Sequence, residues 1–178
     1  IHDGYFFLSN ARFPYTIGIE AAGVVEKIGR AVTNYKAGER ITFVNAMQPK
    51  GGTWAEYTVV ADGSLILRIP ESMSFETAAA VPVAGNTAIK AFRALDLQPG
   101  DSLFIAGGSG AIGTLAIQIA AARGYRVAAS ASAKNHQYMR SLGAEKVVDY
   151  HDNDWQEQIA ERYPGGVDAA IATQPGTA

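Results

Sequence analysis

Residues 101–123 (DSLFIAGGSGAIGTLAIQIAAAR) do most to limit how this chain can fold, because the hydrophobic period changes abruptly in the middle of them. Residues 102–106 are a compact apolar run opened by Pro99-Gly100, long enough for a buried strand and too short for a helix. From Ala111 onward Ile112, Leu115, Ala116, Ile119 and Ala120 recur at the spacing of one helix face. The glycines sit at the change of period and spell both G-x-G-x-x-G (Gly108, Gly110, Gly113) and G-x-x-G-x-x-G (Gly107, Gly110, Gly113). Glycine permits the tight turn, the close approach of backbone to a pyrophosphate, and the packing of helix on strand. The segment Gly107, Gly108, Ser109, Gly110, Ala111, Ile112 and Gly113 is therefore a candidate phosphate cradle, with free amides and the positive end of a helix facing an anion.

The remainder of the second half supports that reading. Residues 125–130 form a short apolar strand pattern, 135–142 a helical one stopped by Gly143, 146–149 a strand, 155–163 a helix and 167–172 a strand. Such alternation predicts a doubly wound α/β domain of Rossmann type, a parallel sheet with helices on both faces that binds a dinucleotide. The usual strand order is 3-2-1-4-5-6, so a chain stopping after strand 4 would leave that strand as an open edge. With Ile1 in place of an initiator methionine, this predicts a fragment of a longer protein.

The first half reads differently. Tyr5, Phe6, Phe7, Phe13 and Tyr15 are too closely spaced for a free tail. Strand patterns at 21–25, 41–44, 53–60 and 65–69, separated by glycine-bearing turns, predict a small, mostly β, barrel-like domain. Ser74 is placed to cap a helix over 74–80, Pro82 to interrupt it, and residues 86–95 to form a second helix. The expected domains are 1–85 and 86–178.

Bulk properties exclude several classes. A net charge of -2 leaves no broad basic face, so nucleic acid is not an expected partner. No apolar run approaches the roughly 20 residues that span a bilayer, and no signal peptide is recognisable, so the expectation is a cytoplasmic protein away from membranes. There are 0 cysteines, and His2, His136 and His151 are far apart without ligand spacing, which argues against a metal site.

The run FPYTIGIEAAGVVEKIG, then YKAGERI, GGTWAEYTVV, FETAAAVPVAGNTAIKAF and PGDSLFIAGGSGAIGTLAIQIA resembles, in that order, the medium-chain dehydrogenase/reductase superfamily. More narrowly it resembles the zinc-independent quinone oxidoreductase and enoyl reductase branch. The resemblance implies a GroES-like barrel ahead of the Rossmann domain, with both incomplete here, and dimerisation of the full-length protein through the far edge of the nucleotide sheet. Where the zinc alcohol dehydrogenases of this superfamily have Gly-His-Glu, this chain has Gly18-Ile19-Glu20. Glu20 is then expected to be a structural partner for an arginine or a backbone amide.

An NAD site needs an acid near the end of the second strand, about 20 residues past the glycines. No Asp or Glu occurs between Asp101 and Glu145, and Ser130, Ser132, Lys134 and Asn135 follow that strand instead. Hydroxyls and an ammonium favour a 2′-phosphate, so NADPH is the expected cofactor. The resemblance adds Tyr150, which with Lys134 would close over that phosphate, Thr87 beside the nicotinamide or its phosphate, and Tyr5 as proton donor; Asn45, after the 41–44 strand, is a candidate for the substrate cleft. The implied reaction is metal-free hydride transfer from NADPH to a quinone or an α,β-unsaturated carbonyl. Two alternatives stand beside it: an enoyl-thioester reductase of fatty-acid or polyketide synthesis, and an NADPH-binding or sensing protein of low turnover.

Overall fold

A computed structural model describes residues 14–45 and 52–173. Tyr5 and the other aromatic residues before Pro14 lie outside them. The chain divides into two units, Ile1–Val83 and Ala84–Ala178.

The first unit carries an antiparallel sheet in the order β1-β2-β3, with β1 Glu20–Val24, β2 Arg40–Val44 and β3 Ile66–Arg68. The central strand holds it together, since Ile41 and Phe43 are buried and Thr42 Oγ1 lies 2.8 Å from the Ala78 carbonyl and 3.0 Å from that of Ala21. Ala78 belongs to α1, Phe75–Ala79, whose N-cap Ser74 accepts the Thr77 amide as its sequence position predicts. Arg40 secures the approach to α1 by donating to the carbonyls of Pro70, Glu71 and Met73 and lying over the Phe75 ring. The expected structural role of Glu20 is realised: its carboxylate accepts the Val83 amide at 2.8 Å, in the first turn of a helix that has no acid there of its own. β1 borders a cavity of about 820 Å³ lined by Ala21, Val24, Tyr35, Phe43 and Tyr57 among others.

Two expectations need correction. Residues 53–60 are not a strand: the Gly52, Thr53 and Trp54 amides bond to the Thr16, Gly18 and Ile17 carbonyls, and pairing ends there. Trp54, Tyr57 and Val59 are 75%, 76% and 87% exposed. β-propensity expresses packing against a neighbouring strand, and among the described residues these side chains have none beside them. The other correction is that Pro82 starts a helix, α2 (Pro82–Ala94), instead of separating two. Proline lacks only an N–H that the first helical turn leaves unbonded anyway.

The second unit is a four-stranded parallel sheet in the order β6-β5-β4-β7, formed by β4 Ser102–Ala106, β5 Arg126–Ser130, β6 Lys146–Val148 and β7 Ala169–Ala172. Numbered within the sheet this is 3-2-1-4, the expected order, with β7 outermost. The helices are α3 Ala111–Ala122, α4 His136–Ser141 and α5 Trp155–Arg162. Alternate residues of each strand serve opposite faces. Leu103, Ile105, Val127, Ala129 and Val147 pack with Phe92 of α2, Ile117 of α3 and Met139 of α4. Phe104, Ala106, Ala128 and Val148 pack with Tyr163 and with Trp155 of α5, whose ring stacks on Phe104 at 5.7 Å. β4 is buried throughout, and Leu103 to Ala106 read as a continuous apolar run because both faces of the strand are covered.

The starts of β4 and β7 are joined by Asp168, whose Oδ2 accepts both the hydroxyl (2.6 Å) and the amide (2.7 Å) of Ser102. The Ser102 hydroxyl first, and then its amide, hold the Asp168 carboxyl below the ordinary carboxylate range. A depressed folded value adds stability that is complete above the unfolded pKa and lost as pH falls through the folded one. Asp168→Asn is therefore expected to lower the urea midpoint at pH 7, with the gap from wild type closing as pH drops below about 4. A gap that stays constant from pH 7 to pH 2.5 would show that the carboxylate charge contributes nothing.

Candidate functional site

The glycine turn sits where β4 leaves the sheet. Gly107 has φ +76°, a left-handed conformation that reverses the chain directly after Ala106. Behind the turn, Ser130 at the end of β5 takes two amides, that of Gly107 on its hydroxyl (3.2 Å) and that of Gly108 on its carbonyl (2.8 Å). In front, Gly110 is the N-cap of α3 and has no side chain to bond the free amides of the first turn. The amides of Ala111, Ile112 and Gly113 have no acceptor among the described residues, and the first turn of α3 holds no acid.

Packing explains why glycine is required at two of these positions. A Cβ on Gly113 would stand 2.3 Å from the Gly107 carbonyl oxygen and 2.7 Å from Gly108 Cα, so helix and turn touch backbone to backbone. A Cβ on Gly108 would lie 2.9 Å from that of Ala129. At Gly110 the nearest atom is 3.4 Å away, an ordinary contact. Turn and helix are thus packed backbone to backbone, and the first-turn amides are left without an acceptor among the described residues, an arrangement that can accept an anion.

The residues beyond β5 and β6 gather at the same end of the sheet. Ser132 follows β5 and its hydroxyl lies 3.0 Å from Tyr150 Oη, which follows β6. Lys134 is exposed in a short 3-10 turn, Ala133–Asn135, and has no ion pair among the described residues. The Asn135 amide closes that turn on the Ser132 carbonyl at 2.8 Å. Ser132, Lys134, Asn135 and Tyr150 are thereby brought together, whereas Ser130 is 5% exposed and braces the glycine turn from behind. Strand periodicity decides this: Ser130 shares the face of Ala128, and position at a strand end does not reveal that.

Sequence reasoning missed Asp149. The search for an acid followed β5 and found none, but β6 is the neighbour of β5 and delivers Asp149 to the same place. Its Oδ2 accepts the Ala133 amide at 2.7 Å, while Oδ1 accepts the His151 amide at 3.0 Å and lies 2.7 Å from His151 Nδ1. Chiefly the His151 amide, and also its imidazole and the Ala133 amide, hold this carboxyl below its usual range. The strand order already expected for such a sheet was the signal that could have located it.

Thr87 is exposed on α2. Asn45, in the first unit, is 2% exposed; its Nδ2 donates to Thr58 and its backbone amide to Ile19, so it ties the end of β2 to Thr58 and to the residue before β1. Among the described residues no group of three His, Cys, Asp or Glu side chains is placed to hold a metal, and no helix is long and apolar enough to cross a membrane.

Comparison with known proteins agrees with this geometry. Residues 1–71 match the family described as alcohol dehydrogenase GroES-like domain, and residues 111–176 the family described as zinc-binding dehydrogenase. The chain is 33% identical over 174 residues to the chloroplastic NADPH-dependent alkenal/one oxidoreductase of Arabidopsis thaliana, covering 93% of this chain and 44% of that protein. It is 33% identical over 165 residues to the trans-enoyl reductase tazE of Aspergillus terreus, covering 84% and 54% respectively. Among solved structures, the quinone oxidoreductase from Coxiella burnetii superposes with a TM-score of 0.82 at 33% identity, over 93% of this chain and 50% of that one. The chain thus spans about half the length of the relatives it matches.

A graded glycine series tests the cradle. Gly113→Ala is expected to cost about 2 kcal/mol or more, because backbone must move to admit the methyl group. Gly110→Ala should stay within about 0.5 kcal/mol of wild type in the same unfolding titration. Equal losses at the two positions would show that the backbone contact beneath Gly113 is not what shapes the turn.

Proposed function

Because this chain belongs to the medium-chain dehydrogenase/reductase superfamily, with a GroES-like unit followed by a nicotinamide-dinucleotide-binding Rossmann unit, we propose that its protein is an NADPH-dependent, zinc-independent reductase of quinones or α,β-unsaturated carbonyls. The observation that carries this reading is the junction at the sheet end: an uncapped glycine cradle beside a cluster of hydroxyls and an ammonium with no ion pair among the described residues. The amides of Ser109, Ala111, Ile112 and Gly113 would hold the diphosphate, and Lys134, Ser132 and Tyr150 the 2′-phosphate. The bound dinucleotide supplies the hydride; the chain's own part is to fix its orientation, and Thr87 is assigned to the nicotinamide end. Independence of zinc is supported by Gly18-Ile19-Glu20, whose carboxylate is engaged by the Val83 amide, and by the lack of cysteine. A substrate whose reduced form is a delocalised enolate or hydroquinone anion needs hydrogen-bond donors rather than a Lewis acid, with Tyr5 as the proton donor and Asn45 on the substrate side. The full-length protein would act as a cytoplasmic homodimer on small molecules, with no nucleic-acid partner.

Similarity to a trans-enoyl reductase supports the second reading, reduction of an enoyl thioester. Measuring kcat/KM of the full-length protein for a simple quinone, a short enone and a crotonyl thioester separates the two: the first reading expects quinone or enone to be preferred by at least about tenfold. In direct titration NADPH should bind at least about tenfold more tightly than NADH, and Lys134→Ala should remove most of that margin while leaving NADH affinity within about twofold. Equal affinities of the wild type for the two cofactors would overturn the NADPH assignment. Tight NADPH binding with no turnover of any of the three substrates would favour a sensing protein.

A further inference from the structure

We propose that Asp149 is the positioning residue that shapes the end of the site where NADPH and NADH differ, a role that rests on the reading of this site as one for NADPH. At the end of these strands a carboxylate with free lone pairs would take the ribose 2′-hydroxyl and repel a 2′-phosphate. Asp149 is not free in that sense. Three donors converge on it: the Ala133 amide on Oδ2, and the His151 amide and ring nitrogen on Oδ1.

Each of those bonds leads to a candidate phosphate ligand. Ala133 lies between Ser132 and Lys134, so the bond to its amide fixes the loop after β5 that presents both. His151 carries Tyr150 on its other side, their ring centroids 4.2 Å apart, so orienting the imidazole also backs the phenol. Tyr150 Oη then closes the circuit at 3.0 Å from the Ser132 hydroxyl. One carboxylate thereby ties the loop after β5 to the loop after β6, and the three groups assigned to the 2′-phosphate are all within one or two residues of its contacts.

Charge and clamping make opposite predictions. If Asp149 acted mainly through its negative charge, removing it would raise affinity for a 2′-phosphate. If it acts as a clamp, removing it frees the loops and lowers that affinity, while NADH, which has no group there, is little affected.

The test is direct titration of the full-length protein and its variants with NADPH and with NADH, alongside thermal unfolding. Asp149→Ala is expected to weaken NADPH binding about tenfold and NADH binding less than about twofold. Asp149→Asn keeps an acceptor for the Ala133 amide without the charge and should recover NADPH affinity to within about threefold of wild type. His151→Ala, which leaves the Ala133 bond in place, should give a smaller loss in the same direction and serves as an independent test if Asp149→Ala does not fold. Tighter NADPH binding in both Asp149 variants would overturn the clamp in favour of charge. Parallel loss of NADPH and NADH with a lowered melting temperature would overturn it in favour of a purely structural role. A wild type that selects NADPH, with variants that select it equally well, would overturn the positioning role alone; a wild type indifferent between the cofactors would overturn the NADPH reading and the proposal with it.

Discussion

The contact on which the second unit depends is the approach of α3 to the turn that precedes it, with Gly113 against the Gly107 carbonyl and Gly108 Cα. Here no side chain intervenes, so the start of α3 lies directly against the turn while Ile117 and Ala116 remain buried in the sheet's core. The same small residues that make the site possible also fix the helix: α3 has no charged residue in its first or last turn and is held by burial rather than by end charges.

A second layer of polar residues supports this geometry from behind. Ser130 satisfies the Gly107 and Gly108 amides, which would otherwise be stranded beneath the turn, and Asp168 does the equivalent at the opposite ends of β4 and β7. Buried β-strands tolerate a hydroxyl only where it has a partner, and Ser102 and Ser130, the two buried serines of β4 and β5, both have one. The polar residues of these two strands, Ser102, Arg126 and Ser130, thus stand where the sheet hands over to loops.

How much of this the sequence revealed depends on how local the determining interaction is. The β4 run, the glycine turn, α3, and the succession through β7 were legible because each is encoded within a dozen residues by period and breakers. The order β6-β5-β4-β7 was legible because alternation of strands and helices leaves few topologies. The contacts of Ser130 and Asp149 were less legible because neighbouring strands set them: Ser130 accepts the amides of the turn that follows β4, and Asp149 reaches the loop after β5 through pairing of β5 with β6. Reading a strand end as a property of one strand overlooks the carboxylate that the adjacent strand brings to it.

Residues 53–60 carry the same lesson in the first unit. Tyr57 and Val59 alternate with Glu56 and Thr58 in a sound strand pattern, yet backbone pairing ends at Trp54. A strand's apolar face lowers free energy only against another surface, and here Tyr57 and Val59 are more than two-thirds exposed beside a cavity of about 820 Å³ that they help to line. β2 shows the converse. It pairs on both edges, buries Ile41, Thr42 and Phe43, and is a strand over the whole stretch that its pattern marks. Two segments expected to be strands therefore differ in outcome because, among the described residues, one has neighbouring strands to complete its hydrogen bonds and the other does not.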